Sequence, residues 1–583
     1  MLSLATFVFI IVCQCQRLTT NCWQEHIETS IRPLVWSDIN FLATTDTHAW
    51  YSGHKNQFTY NGDWGDFVNF VHTAKIQAAE RGQDLLVVDS GDRHDGSGLS
   101  DLSVPNGINS TAVFIHQDYD IITLGNHELY EWENSKMEYD TVAPRYEGYV
   151  CSNVEFRDNH KWKQIGRRYK FFETPVNKFK VLSFGFLFDF KRFNEGTRVT
   201  PIKEVVDSEG WFDEVLRSHK PDIIVVAGHL PISHDWEELH YLHKHIRKYH
   251  ETIPIQYFGG HSHIRDFSVL DASSTALQAG RFCETLGFAS VNMSKKGLDV
   301  RDRFHRRYID FNRRSFAFHA GCDNHEECLN HKHGTQVKEL INLIRDELGL
   351  NEILGKVKTS NFYVDYVPLN HPKSLFKLMT EKVLKALPGD PNRIIIINTG
   401  SIRYDLYRGD YTLDTQFIIS PFLNDWMSVR LPKHIALKVA PKLNEQDYIA
   451  LKTTSNHFLK PPHQWFAKRV DHQKLYDAQH VLSSTFGKPN RLSKGYVTTD
   501  DFGSDGDDTP HRAVVNFPIP NVVQSTQLDT EAEEIDLVFY SFLVPNIKHA
   551  LNDLGVAEFD PEFYSNVHLG SLLTDYVRDG NLE

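Results

Sequence analysis

The sequence predicts an α/β protein of two domains, the first with a layered core of strands covered on both faces. Three observations predict it. The chain has 583 residues, too many for a single hydrophobic core. From residue 38 to 295, short apolar runs alternate with helical stretches, and continuous apolar runs mean strands buried on both sides. After a charged connection over residues 296–345, strand-like runs return in RIIIINTGSIR, FIISPF and GYVTTDDF, which predicts a second α/β domain over 346–583.

The N-terminus stands apart. Leu4 to Cys13 is an apolar run of signal-peptide length, too short to span a bilayer, and cleavage is expected near residue 16. An uncleaved anchor is the alternative. No later segment reaches transmembrane length, and the polar end DYVRDGNLE offers no GPI-signal tail. The expectation is therefore a secreted protein, or one in the lumen of a vacuole-type organelle, with no membrane anchor after cleavage. Cleavage leaves Cys22, Cys151, Cys283, Cys322 and Cys328, and the last pair could close a short disulfide loop in CDNHEEC. Two sequons, at Asn109 and Asn292, agree with export.

Composition narrows the functional classes. With 41% hydrophobic residues and no low-complexity tract, the chain can bury ample apolar surface. A net charge of −14 opposes binding to a nucleic-acid polymer, which needs a basic face. An acidic surface also repels phosphate esters, so a site for one must carry local positive charge, as metal ions do. Histidine is the outlier, with 31 residues.

In the first domain the polar residues follow one plan. INFLATTDTH ends in Asp46 and His48, and DLLVVDSGD ends in Asp92, with Arg93, His94 and Asp95 after it. YDIITLGNHE ends in Asn126, His127 and Glu128. DIIVVAGH ends in His229, and IQYFGGHSH in His261 and His263. Open α/β sheets build their sites outside the carboxyl ends of strands, so these five termini should converge. Singly, each motif is what turns and caps look like; five in succession are not. Mixed carboxylate and imidazole donors suit Zn, Mn or Fe, and one aspartate can join two ions through its two oxygens. Two ions about 3.5–4 Å apart are the common device for in-line displacement at phosphorus.

The order D-x-H, G-D-x-x-D, G-N-H-E, G-H, G-H-x-H resembles the calcineurin-like metallophosphoesterases, and within them the secreted 5′-nucleotidase family. The resemblance implies a four-layer α/β/β/α sandwich. It implies two divalent ions, one held by Asp46, His48, Asp92 and His263, the other by Asp92, Asn126, His229 and His261. It further implies attack on phosphorus by a hydroxide between the ions, with His127 stabilising or protonating the departing oxygen. His54, His94 and Asp95 could orient ligands from outside that set, or be solvated loop residues.

The second domain carries a similar stretch, IIIINTGSIRYDLYRGDYTLDTQFIISPF, which resembles the nucleotidase pattern N-x-G-G-I-R…G-x-x-T…P-F with Ser401 in place of one glycine. By that resemblance Asn398 and Arg403 meet the phosphate, whose geometry suits a guanidinium fork, and Phe422 offers one face of a base-stacking slot. In DDFGSDGDDT, Phe502 is the expected opposing ring and Asp507 the acceptor for the ribose hydroxyls; an exposed acidic turn is the alternative. The run CDNHEECLNHKH matches no standard zinc spacing and reads as a disulfide loop on the connection.

The function so implied is hydrolysis of a small phosphate monoester, foremost a nucleoside 5′-monophosphate. A cyclic phosphodiester, a nucleotide-sugar or polyphosphate is the competing substrate on the same site. A non-catalytic ligand-binding protein would have lost Asp92, Asn126 or His127, and all three are present. In the first domain too the chain departs from the family: the related pattern G-N-H-E-F-D has an aspartate three residues after the histidine, where this chain has Tyr130. Glu131 or Asp95 could substitute, or His127 could act without a carboxylate.

Overall fold

The computed structural model describes residues 31–445 and 498–582, apart from 209, 294–296, 298, 323–328, 512–516, 518 and 526–530. The expected signal segment, Cys22 and Cys328 lie outside the described residues.

Strands β1 (Ile39–Thr44), β2 (Asp84–Asp89), β3 (Ile121–Ile122), β4 (Tyr169–Glu173), β5 (Lys180–Leu187) and β6 (Ile223–His229) open the first domain. β7 (Ile255–Phe258), β8 (Arg265–Asp271), β9 (Ser274–Ala279), β10 (Thr285–Val291) and β11 (Phe304–Asp310) follow. They form two sheets: β11-β10-β1-β2-β3, and β8-β9-β7-β6-β5-β4 with the strand Thr498–Asp500 added beside β8. The site-bearing strands run parallel within their sheets, β1 with β2 and β3, and β6 with β5 and β7.

Alternation along the strands builds the layers. Phe41 and Ala43 on β1, Leu86 and Val88 on β2, and Val225 and Ala227 on β6 face the other sheet and share one buried cluster. Leu42, Val87 and Val226 point the other way and belong to a second cluster, with residues of the helices. Helix α1 (Trp64–Glu80) covers the first sheet, its start held by a capping box between Asp63 and Asp66. Helices α2 (Trp211–Ser218) and α3 (Glu237–Tyr249) cover the second, where Phe212 meets Phe184 and Phe186 of β5. The result is the expected four-layer α/β/β/α sandwich.

Two features differ from the expectation. The charged stretch from 296 is not only a connection: β11 pairs with β10 over seven residues and completes the first sheet. Helix α4 (Lys332–Glu347) then packs on α1, where Gly334 N–H donates to Asn69 Oδ1 (3.0 Å). The second feature is the acidic segment 498–511. It returns to the first domain, pairing in parallel with β8 through Thr498–Asp500 and bridging β11 through Tyr308 and Asp507. Charge explains both. Arg306 lies on the inner face of β11 between Phe304 and Tyr308, and Arg306 Nε donates to buried Asp500 Oδ2 at 2.8 Å. Arg265 pairs with Asp507 at 3.0 Å, and His319 with Asp508 at 3.0 Å. The basic and acidic stretches are complementary across the sandwich, a pairing that local composition cannot reveal. Arg306→Met leaves Asp500 buried without its counter-charge and is expected to lower stability by about 3 kcal/mol. A shift in the denaturant midpoint measures it; an unchanged midpoint contradicts the assignment.

Strands β12 (Arg393–Asn398), β13 (Trp426–Pro432), β14 (Val522–Gln524), β15 (Glu534–Tyr540) and β16 (Glu562–Ser565) form the second domain's sheet. Their order is β14-β12-β15-β13-β16. Its core is separate, centred on Ile394 to Ile397, Leu537 and Phe539. Helix α5 (Leu413–Ile419), capped by Thr412 and Thr415, carries the domain back toward the first. Cys322 is disulfide-bonded, and Cys151 and Cys283 are free and buried. No helix among the described residues is long and apolar enough to cross a membrane.

Candidate metal centre

The five strand ends do converge. Asp46, His48, Asp92 and His263 bring ligand atoms within 4.8 Å of one another, and so do Asp92, His229 and His261. Asp92 is common to both groups. Its Oδ2 lies 3.0 Å from His229 Nε2 and 3.9 Å from His48 Nε2. Its Oδ1 accepts the His127 N–H at 2.8 Å, so one oxygen rather than two faces both groups. His263 Nε2 is 3.3 Å from Asp46 Oδ1 and 3.1 Å from His48 Nε2.

Backbone contacts aim these side chains. His48 Nδ1 donates to the His94 carbonyl (2.6 Å) and His229 Nδ1 to the Ser90 carbonyl (2.8 Å). With Nδ1 donating to backbone, Nε2 is the nitrogen of each ring that faces inward, able to ligate once it carries no proton. Glu128 clamps the loops, accepting from Asp92 N (3.0 Å), Arg93 N (2.7 Å) and Gly125 N (2.6 Å). Gly125 is required by proximity, since a Cβ there would lie 2.1 Å from Asp92 Oδ1. Asp46, His48, Asp92, His261 and His263 all take left-handed backbone conformations, with φ of 48°, 46°, 61°, 72° and 58°. Such strain in side-chain-bearing residues concentrates at functional sites.

The donor set fits divalent ions. It mixes carboxylate and imidazole, and Asn126 adds a buried amide Oδ1 with no hydrogen-bond partner. Burial pushes the His261 imidazole down to about 3, and His48 and His263 well below their ordinary value. They are therefore neutral and able to ligate even in mild acid. His229 behaves oppositely: burial alone would lower it, but Asp92 outweighs burial and raises it to about 9. An ion must displace that proton. Metal affinity should therefore rise with pH up to about 9, with proton release at neutral pH. Calorimetric titration in buffers of different ionisation heat measures the release, and proton-free binding would contradict the His229 assignment.

His127 has a carboxylate partner. Its Nδ1 donates to Asp95 Oδ2 at 2.7 Å, which leaves Nε2 on the site side, 4.0 Å from Asp92 Oδ2. Burial opposes ionisation of Asp95, yet the His127 hydrogen bond holds its carboxyl below the usual range. Asp95 is itself fixed by Asn106 Nδ2 (2.8 Å) and by its own N–H on Ser100 Oγ (3.2 Å). Glu131, the other candidate, is exposed at the start of a helix (Trp132–Met137) and does not play this part. Tyr130 fills the place of the missing aspartate differently, its hydroxyl 3.3 Å from Asn126 Nδ2 and its ring edge-on to His127.

The second domain reaches this centre. Arg403 Nη2 lies 3.3 Å from His48 Nε2, and the guanidinium sits 5.7 Å from the Phe422 ring and 5.9 Å from the Phe282 ring. Asn398 Oδ1 is buried without a partner. Phe502 and Asp507 are elsewhere: Phe502 packs on Phe267 at 4.7 Å beside Arg301 and Arg306, and Asp507 pairs with Arg265. The expected stacking partner and ribose acceptor thus belong to the first domain's sheet, where buried arginines claim the acidic segment. The second ring beside Arg403, with Phe422, is Phe282, in a left-handed conformation (φ 54°), stacked on Trp50 and edge-on to His48 and His263. Its position after β9 carries no motif that sequence reasoning could have used. His54 is buried against the same group, bonding the Phe282 carbonyl and Gln57 at 2.7 Å each. His94 is likewise buried rather than solvated.

This fold and site define a metal-dependent phosphoesterase with a nucleotidase-type second domain. Residues 39–265 match the calcineurin-like phosphoesterase family, and residues 361–548 the C-terminal domain of NAD nucleotidase. A crystal structure of a 5′-nucleotidase from Candida albicans is 51% identical with a TM-score of 0.86, covering 94% of this chain and 99% of that one. A 5′-nucleotidase precursor from Thermus thermophilus shares the fold at 15% identity and TM-score 0.54, over 93% and 96% of the two chains. An uncharacterised protein of Saccharomyces cerevisiae is 40% identical over 94% of both chains. A protein of Arthroderma benhamiae called a secreted protein is 32% identical over 94% of this chain and 90% of its own. The chain belongs to the two-domain 5′-nucleotidase family of the calcineurin-like metallophosphoesterases.

Proposed function

We propose that the chain hydrolyses phosphate monoesters, foremost nucleoside 5′-monophosphates, outside the cell or in an organelle lumen. The observation that carries this reading is Arg403 of the second domain, 3.3 Å from His48 in the first domain's centre and beside Phe422. A guanidinium for phosphate and an aromatic face for a base are delivered together to one centre. The Candida albicans relative, 51% identical, is called a 5′-nucleotidase, which supports the reading.

Divalent ions of Zn, Mn or Fe type would neutralise phosphate charge and activate water. Asp46, His48, Asp92 and His263 would hold one ion, and Asp92, Asn126, His229 and His261 the other. Arg403 grips the non-bridging phosphate oxygens, with Asn398 beside it. Phe422 lies against the base. His127 donates a proton from Nε2 to the departing oxygen, while Asp95 keeps Nδ1 protonated and stabilises the imidazolium. The disulfide at Cys322 and the secreted Arthroderma relative support an oxidising compartment.

Turnover of AMP, a 2′,3′-cyclic nucleotide, a nucleotide-sugar and polyphosphate by the metal-loaded protein tests the substrate. AMP is expected to lead; AMP behind the others would overturn the monoesterase reading. Arg403→Met should raise KM for AMP by about 10- to 100-fold, as expected for losing a charged hydrogen bond to phosphate. An unchanged KM removes Arg403 from the phosphate site.

A further inference from the structure

Asp95 opens the loop Asp95–Gly98, and the second domain holds the far end of that loop. Asp414, buried in the first turn of α5, accepts the Gly98 N–H through Oδ1 at 2.9 Å. Its Oδ2 pairs with Arg345 of α4, a buried guanidinium also bound to Ser52 Oγ (3.2 Å) and, through Nη2, to Asn351 Oδ1 (2.9 Å). Gly98 allows the approach because it has no side chain: a Cβ would lie 2.3 Å from Leu350 Cδ2 and 3.1 Å from Asp414 Oδ1. Between Gly98 and Asp95 the loop is tied to the site. Ser97 Oγ donates to the Ala49 carbonyl (2.7 Å), beside His48, and a Cβ on Gly96 would lie 2.8 Å from His48 Cβ. The contact joins residues 316 apart in sequence, and among the described residues neither Asp414 nor Arg345 makes a side-chain hydrogen bond to the metal cluster or to Arg403.

We propose that Asp414, anchored by Arg345, is a positioning residue: it seats the Asp95–Gly98 loop so that Asp95 meets His127, and it thereby couples protonation of the leaving group to docking of the second domain. A simple glue between domains would also bury this pair. The two roles part at the leaving group. The inference rests on His127 as proton donor, so it applies where the departing oxygen needs a proton, as a ribose 5′-oxygen does. p-Nitrophenolate leaves as a stabilised anion and needs none.

The test compares kcat for AMP and p-nitrophenyl phosphate in the metal-loaded full-length wild type and in Asp414→Ala, Asp414→Asn, Arg345→Met and Asp95→Asn variants. It adds the double variant Asp95→Asn/Asp414→Ala, with metal content and thermal midpoint measured for each. Asp414→Ala is expected to lower kcat for AMP about tenfold or more, lower that for p-nitrophenyl phosphate far less, and leave metal content unchanged. The double variant should be no slower on AMP than Asp95→Asn, because both changes break one unit. Asp414→Asn can still accept from Gly98 but loses its charge pairing, and should show a smaller loss with the same leaving-group pattern. It carries the test if Asp414→Ala does not fold. Equal losses on both esters, a change in KM alone, or additive losses in the double variant would overturn the inference. A wild type inactive on both esters overturns the functional reading, and the inference with it.

Discussion

Asp92→Asn is expected to remove nearly all phosphatase activity together with bound metal. Asp92 is shared by both ligand groups, and its Oδ2 is the oxygen that faces His229 and His48. The substitution keeps shape: the amide oxygen can still accept the His127 N–H that Oδ1 receives, so the loops should remain folded. What it removes is the negative charge that both ions would share. Losing that stabilisation costs several kcal/mol at the transition state, or a turnover drop of about a thousandfold or more. The folded state without metal should lose some stability, because burial opposes the Asp92 charge but His229, 3.0 Å away, outweighs burial and holds that carboxyl well below its usual range, and the amide cannot form this ion pair. Metal per chain by elemental analysis and turnover of AMP check both halves. A variant that keeps metal and turnover would end the metal-centred account.

The second large effect is at Asp95. Asp95→Asn keeps a group of the same size against His127 Nδ1 but takes away the carboxylate that stabilises the imidazolium. AMP turnover should fall by about a hundredfold, in the range general-acid contributions span. Turnover of p-nitrophenyl phosphate should fall far less, because its leaving group needs no proton. Equal losses would mean that Asp95 holds structure rather than the proton donor. Glu131→Gln, on an exposed side chain, should change neither rate.

Asp92 and Asp95 differ in how much of their role is local to the chain. Asp92 was legible because its meaning is local: an aspartate directly after a buried strand, in a chain where four other strands end the same way. The sequence does not separate Asp95 from Glu131, since proximity along the chain favours Glu131 and only the folded loop brings Asp95 to His127. Phe502 and Asp507 sit against the first domain's sheet for a related reason. A run of aspartates and glycines looks like a solvent-facing pocket rim, yet Arg306 and Arg265 neutralise it inside the first domain. The same pairing explains why β11, rich in arginine, reads as a connection and not as a strand. Phe282 carried no signal, because its importance lies in a backbone conformation and in neighbours from distant segments.

By itself the sequence determined the α/β class, the converging strand ends and the aspartates and histidines that cluster there. Those follow from periodicity and from residue types that a strand's end places at its own tip. Tertiary structure alone decided which carboxylate serves His127, which ring flanks Arg403, and where the acidic segment 498–511 belongs. Each of those is a pairing between residues far apart in the chain. The free energy of such pairs depends on mutual burial and on the distance between charges, and neither quantity exists until the chain has folded.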